Sequence, residues 1–124
     1  MSQLLAIALG GATGAVLRFI MSTGVHRLAG RDFPYGTLSV NVLGSLLMGF
    51  LYILLIERGS LGSEWRAVLL VGFLGAFTTF STFSIETLNL IENGEVIKAG
   101  INVLLSVTLC LLAVWSGVLV GRQL

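Results

Sequence analysis

At 124 residues the chain has room for one domain, and 56% hydrophobic residues, 10% charged residues and a mean hydropathy of +0.99 exclude a soluble one, since ordinary soluble domains carry about 25% charged residues. A net charge of +1 excludes a strongly basic nucleic-acid surface. The single cysteine, Cys110, excludes an intrachain disulfide, and with the single histidine, His26, it forms no familiar metal-ligand spacing.

Taken in chain order, residues 1–3 lack a positively charged leader. The first apolar segment is therefore expected to be retained rather than cleaved as a signal peptide. That segment covers residues 4–25, interrupted by Arg18. A second covers 35–56 without a charge, and a third covers 67–85 and continues past Glu86 to about 91. A fourth covers 99–121, again uncharged. About 20 apolar residues are needed to cross a bilayer as a helix. The pattern predicts one all-α domain over residues 1–124, built of four transmembrane helices. Pro34 suits the first turn of the second helix, and Gly59, Gly62 and Gly94 punctuate the turns. Gly10 with Gly14, and Gly117 with Gly121, are small-residue pairs at the spacing that lets helices approach closely.

Four spans place Arg58, Arg66 and Arg122 on one side and Arg27, Arg31 and Lys98 on the other. Orientation follows the Lys/Arg bias between the two sides, and here there is none. Either both orientations insert, or Arg18 or the terminal amine fixes one.

The stretch Gly72–Ser84 differs from the rest. It lies in a span yet is rich in Gly, Thr, Ser and Phe. Two glycines lower helix propensity, and hydroxyls can satisfy backbone groups freed by a break. Irregular backbone at membrane depth is tolerated where it lines a cavity or is buried in protein. The composition predicts a broken third helix beside a conduit, although small and hydroxyl residues also serve plain helix packing.

Three side-chain sets could face that conduit. Thr37, Asn41 and Ser45 recur every four residues on the second helix, and Asn102, Ser106 and Cys110 on the fourth. Phe80 and Phe83 share a face of the third, with Ser81 and Ser84 beside them. Weak donors and the positive edges of aromatic rings solvate a permeating anion without trapping it. The alternative for each is interhelical packing and hydrogen bonding. Arg18 and Glu86 are intramembrane charges, which usually mark function. Arg18 is a candidate for a pore mouth or for snorkelling to a surface, and an Arg18–Glu86 pair is open. No catalytic triad, paired catalytic carboxylates or phosphate loop is present, so an enzyme is not expected.

The string Gly72-Phe-Leu-Gly-Ala-Phe-Thr-Thr-Phe-Ser-Thr-Phe-Ser84, followed by Glu86, resembles the signature of the Fluc/CrcB fluoride channels. So do Gly10-Gly11-Ala-x-Gly14-Ala-x-x-Arg18, Gly36-Thr37-x-x-Val40-Asn41-x-x-Gly44 and the four-span length. The resemblance covers nearly the whole chain. It implies a dual-topology, antiparallel homodimer in the bacterial inner membrane, with two pores through which fluoride leaves the cytoplasm passively. It also implies a structural sodium ion at the dimer interface, held by the backbone carbonyls of Gly75 and Thr78. Asn41, Phe80 and Phe83 match the family's pore residues, Thr37, Ser81, Ser84 and Ser106 its further polar positions, and Arg18 a pore mouth. Cys110 departs from the hydroxyl expected at the end of the fourth-helix stripe. A small multidrug exporter is also four-span and dual-topology, but it needs a carboxylate in its first helix, where this chain has Arg18. A structural membrane protein would explain the glycines and not the asparagines.

Overall fold

In the computed structural model, which describes residues 2–59 and 61–124, the four apolar segments are four long helices, each apolar enough to cross a membrane. Met1, where the expectation of a retained first segment begins, lies outside the described residues. The first span is α1 (Ser2–Ala29). The second is α2 (Tyr35–Tyr52), which widens into a π-helical turn over Ile53–Glu57. The third begins as the short α3 (Ser63–Arg66), widens into a π-helical stretch over Ala67–Leu74 and closes with α4 (Gly75–Phe77). It resumes as α5 (Phe80–Glu92). The fourth is α6 (Val96–Gln123).

The turns follow from local chemistry. Gly30 and Gly94 have φ of +91° and +82°, a region that disfavours a Cβ, and each ends a helix. At the end of α5, the Glu95 N–H donates to the Leu90 carbonyl (2.8 Å) and the Gly94 N–H to Ile91 (3.1 Å). This double closure satisfies carbonyls that have no intrahelical donor. Pro34 precedes α2, and its carbonyl accepts the Leu38 N–H at 3.1 Å.

Glycines set the packing. Gly10 and Gly14 are both buried, and a Cβ on either would collide with the backbone at Val68 or Phe73. Gly72 meets the Ile7 carbonyl from the other side. Across the molecule, Gly49 sits against Val114, Gly117 against Leu46 and Gly121 against Ile53. The two small-residue pairs therefore act as predicted, letting α1 close on the first half of the third span and α6 on α2. Few large side chains are fully enclosed, among them Val40, Ile53, Leu55 and Leu74. Leu4, Phe19, Ile97, Leu104 and Leu111 are each more than half exposed. An apolar exterior around a small core suits hydrocarbon surroundings rather than water.

Candidate functional site

The third span is broken at Thr78 and Thr79, about halfway along Ser63–Glu92. Both residues are extended, with φ/ψ of −88°/159° and −151°/120°. Threonine is branched at Cβ and favours that region. The predicted break is therefore real, but its glycines lie in the helical arm before it. Gly72 is used for packing against α1, and Gly75 begins α4.

Three side chains replace the helical hydrogen bonds lost there. Asn41 meets the Thr79 backbone with its whole amide: Nδ2 donates to the Thr79 carbonyl at 3.0 Å, and Oδ1 accepts the Thr79 N–H at 2.8 Å. The Thr79 hydroxyl caps α5 by accepting the Thr82 N–H at 3.2 Å. Arg18 Nε donates to the Ala76 carbonyl at 3.0 Å. That bond turns the Arg18 side chain towards the level of the break. A cation is favourable at a helix C-terminus, where carbonyls lack donors.

These replacements release two carbonyls. In an unbroken helix the Gly75 carbonyl would receive the Thr79 N–H and the Thr78 carbonyl the Thr82 N–H. Both donors are diverted, to Asn41 Oδ1 and Thr79 Oγ1. Two hard oxygen ligands at Gly75 and Thr78 are the donor type a hard cation takes, so the residues present fit a sodium ion.

Beside the break lies a cleft of about 460 Å³, lined from α2 by Asn41, Gly44, Ser45 and Met48, by Thr78 and Thr79, from α5 by Phe80 and Phe83, and from α6 by Ser106, Val107, Cys110, Leu111 and Val114. Four predicted pore residues, Asn41, Phe80, Phe83 and Ser106, come together there, and so does Cys110. The two phenyl rings stand 5.3 Å apart, tilted by 44°. Phe80 is 78% exposed, and Ser106 Oγ is 3.4 Å from Asn102 Oδ1, a long and weak bond. Thr37, Ser81 and Ser84 stand outside this cleft. Thr37 is buried one turn before Asn41, Ser84 bonds back to the Phe80 carbonyl (2.9 Å), and Ser81 leans on the Thr79 hydroxyl (3.4 Å).

Asn102, which its spacing set on the fourth-helix polar stripe, makes the interhelical hydrogen bond that was the alternative to facing the conduit. It is 2% exposed, and its Nδ2 donates to Thr87 Oγ1 at 2.9 Å. Thr87 in turn donates to the Phe83 carbonyl at 2.7 Å. The signal was present: an amide inside a long apolar helix demands a partner. Glu86 does not pair with Arg18. One of its carboxylate oxygens is buried without a hydrogen-bond partner. The residue borders a second cavity, of about 350 Å³, near His26, Arg31, Asp32 and Lys98. Among the described residues the ion pairs are Lys98–Glu95 and Arg122–Glu57.

Residues 5–118 match the family described as CrcB-like protein, Camphor Resistance (CrcB). The chain is 61% identical over 122 residues to a fluoride-specific ion channel FluC of Methylococcus capsulatus, covering 98% of this chain and 54% of that protein. It is 55% identical over 123 residues to the FluC of Coxiella burnetii, covering 98% of this chain and 99% of that protein. It is 50% identical over 124 residues to the FluC of Geobacter sulfurreducens, covering the whole of both chains. The chain thus spans about half of the Methylococcus relative and nearly all of the other two. A family match over most of the sequence, with relatives at half identity or better along its length, shows that the chain belongs to the CrcB-like family.

Proposed function

We infer that this chain is a fluoride-selective ion channel of a bacterial inner membrane, working as an antiparallel homodimer with two pores and lowering fluoride toxicity by passive efflux. The observation that carries the reading is the mid-span cleft, where a broken helix, two phenylalanines and weak donors meet. Fluoride is small and strongly hydrated, so a dry passage must replace part of its water. Phe80 and Phe83 offer ring edges, which are positive relative to the faces. Asn41 uses one Nδ2 proton on Thr79 and has a second for an anion. The Ser106 hydroxyl, weakly held by Asn102, can turn to a passing ion. Each contact is partial, so the ion is solvated and still released. No group in the cleft carries a formal positive charge that would hold it.

Gly75 and Thr78 would hold sodium through their carbonyls, and the ion would supply positive charge to balance oxygens left without donors. The balanced Lys/Arg count supports insertion in both orientations. Purified protein in liposomes, read with a fluoride electrode, should release fluoride and retain chloride. Equal release of both anions, or none, overturns the channel reading. A C-terminal reporter active only in the cytoplasm should give an intermediate signal, and a single orientation overturns the antiparallel dimer.

A further inference from the structure

We propose that Asn41 and Thr79 are positioning residues that build the cation site by taking the two backbone donors which would otherwise close it. The inference rests on the reading of the Gly75 and Thr78 carbonyls as sodium ligands, and it gives Asn41 a second duty beyond the anion path.

The argument is one of hydrogen-bond accounting. Each N–H inside an α-helix donates four residues back. For Thr79 that acceptor is Gly75, and for Thr82 it is Thr78. Neither bond forms. The Thr79 N–H goes to Asn41 Oδ1 at 2.8 Å, and the Thr82 N–H goes to Thr79 Oγ1 at 3.2 Å. The intervening Ala76 carbonyl, which the Phe80 N–H would otherwise meet, takes Arg18 Nε instead. The pattern is selective: the carbonyl between the two candidate ligands is satisfied by a cation of the protein, and the two ligands are left open. The Thr79 carbonyl is also satisfied, by Asn41 Nδ2 at 3.0 Å.

The break is therefore held open by two side chains. Without the Asn41 amide, the Thr79 N–H sits in apolar surroundings with no acceptor, and the Gly75 carbonyl in helical register is its natural partner. Without the Thr79 hydroxyl, the Thr82 N–H stands in the same relation to Thr78. One amide then serves both ions' sites: Oδ1 keeps a cation ligand free, while Nδ2 has a proton to spare beside the cleft that Asn41 lines. Loss of the cation should disturb the position of Thr79 and so of the cleft wall.

The test measures thermal stability of the purified dimer against sodium, with N-methylglucamine replacing sodium at constant ionic strength. The native protein should be stabilised by sodium. If it is not, the sodium reading itself fails, independently of this proposal. Given that shift, Thr79→Val should raise the sodium concentration for half-maximal stabilisation roughly tenfold or more, and Asn41→Ala should act in the same direction. Thr79→Ser, which keeps the capping oxygen, should match the native protein. The decisive variant adds Thr82→Pro to Thr79→Val. Proline has no N–H and is tolerated in a helix's first turn, so the Thr78 carbonyl stays open and sodium dependence should return towards native. Should Thr79→Val fail to assemble, recovery of the dimer by Thr82→Pro supports the proposal, and no recovery overturns it. An unchanged sodium midpoint in both Thr79→Val and Asn41→Ala also overturns it.

Discussion

The two arms of the third span hold to the protein by different forces. The first arm, residues 63–77, is fixed by backbone contact: Gly10, Gly14 and Gly72 bring it so close to α1 that a methyl group would not fit between them. The second arm, α5, has Leu90 as its one buried residue and is tied by side-chain hydrogen bonds, from Asn41 to Thr79 and from Asn102 to Thr87. The seam of the first arm is spent on close packing, whereas α5 leaves the Phe80 ring exposed and turns Phe80 and Phe83 to the cleft. On the proposed reading, the first arm is scaffold and the second lines the conduit.

The largest expected effect attacks the scaffold. Gly14→Leu places a branched side chain against the Phe73 backbone, which cannot rotate away. A cost of about 3 kcal/mol or more is expected, read as loss of assembled protein after extraction. Gly100→Ala is the control, because nothing lies within 4 Å of the added carbon. It should leave yield unchanged. Equal yields for the two variants would break the distinction between the arms.

Next comes the conduit. Phe80→Ile and Phe83→Ile should each cut fluoride flux per folded dimer by about tenfold or more, since an aliphatic chain fills space without a positive edge. Asn41→Asp should abolish it, by placing a negative charge beside the path. Normal flux per dimer with falling yield would mean that α5 is scaffold as well.

A smaller effect is expected at the tie between α5 and α6. Asn102→Leu removes the one side-chain hydrogen bond joining these helices among the described residues. Interhelical hydrogen bonds in membranes are worth about 0.6 kcal/mol on average. A double-mutant cycle with Thr87→Val should give coupling of roughly that size. Flux should change by more than stability, because Thr87 holds the Phe83 carbonyl and Asn102 holds the Ser106 hydroxyl. Coupling of zero would show that α5 is placed by packing alone.

These contrasts also mark what the sequence made legible. Hydropathy located the four spans, and glycine spacing located the close seams, because both depend on residue type at fixed intervals. The composition of Gly72–Ser84 announced a break but not its position. Glycine permits a break, whereas the chain departs from the helix where Thr79 can cap α5 and Asn41 can accept its N–H. Thr79 is 38 positions from Asn41, and Ala76 is 58 from Arg18. No local pattern encodes such pairs. Spacing alone could not say that Arg18 turns inward, because snorkelling and helix capping both suit a cation late in a span. Nor could the shared face of Ser81 and Ser84 reveal that Ser84 bonds back within α5 and Ser81 leans on the Thr79 hydroxyl at the break.

The smallest expected effect lies at the end of the bundle, where α6 meets the turn after α2. Arg122 Nη2 is 3.4 Å from Glu57 Oε2, and the two side chains are 58% and 49% exposed. Water screens such a pair, and holding two long side chains together costs entropy, so exposed pairs contribute about 0–1 kcal/mol. The Arg122 carbonyl has a separate partner in Arg58 Nη2 at 3.0 Å, which does not need Glu57. Glu57→Gln should therefore leave the melting temperature unchanged within about 2 °C and leave flux at its native value. Orientation should not change either, because it follows Lys and Arg with little contribution from acids. Glu57→Lys is the informative contrast: it adds a cation to a side that holds three against three and should push the reporter signal towards a single orientation. If Glu57→Gln shifts orientation as much as Glu57→Lys does, net charge rather than the Lys/Arg count sets topology, and the balance of three against three loses its meaning.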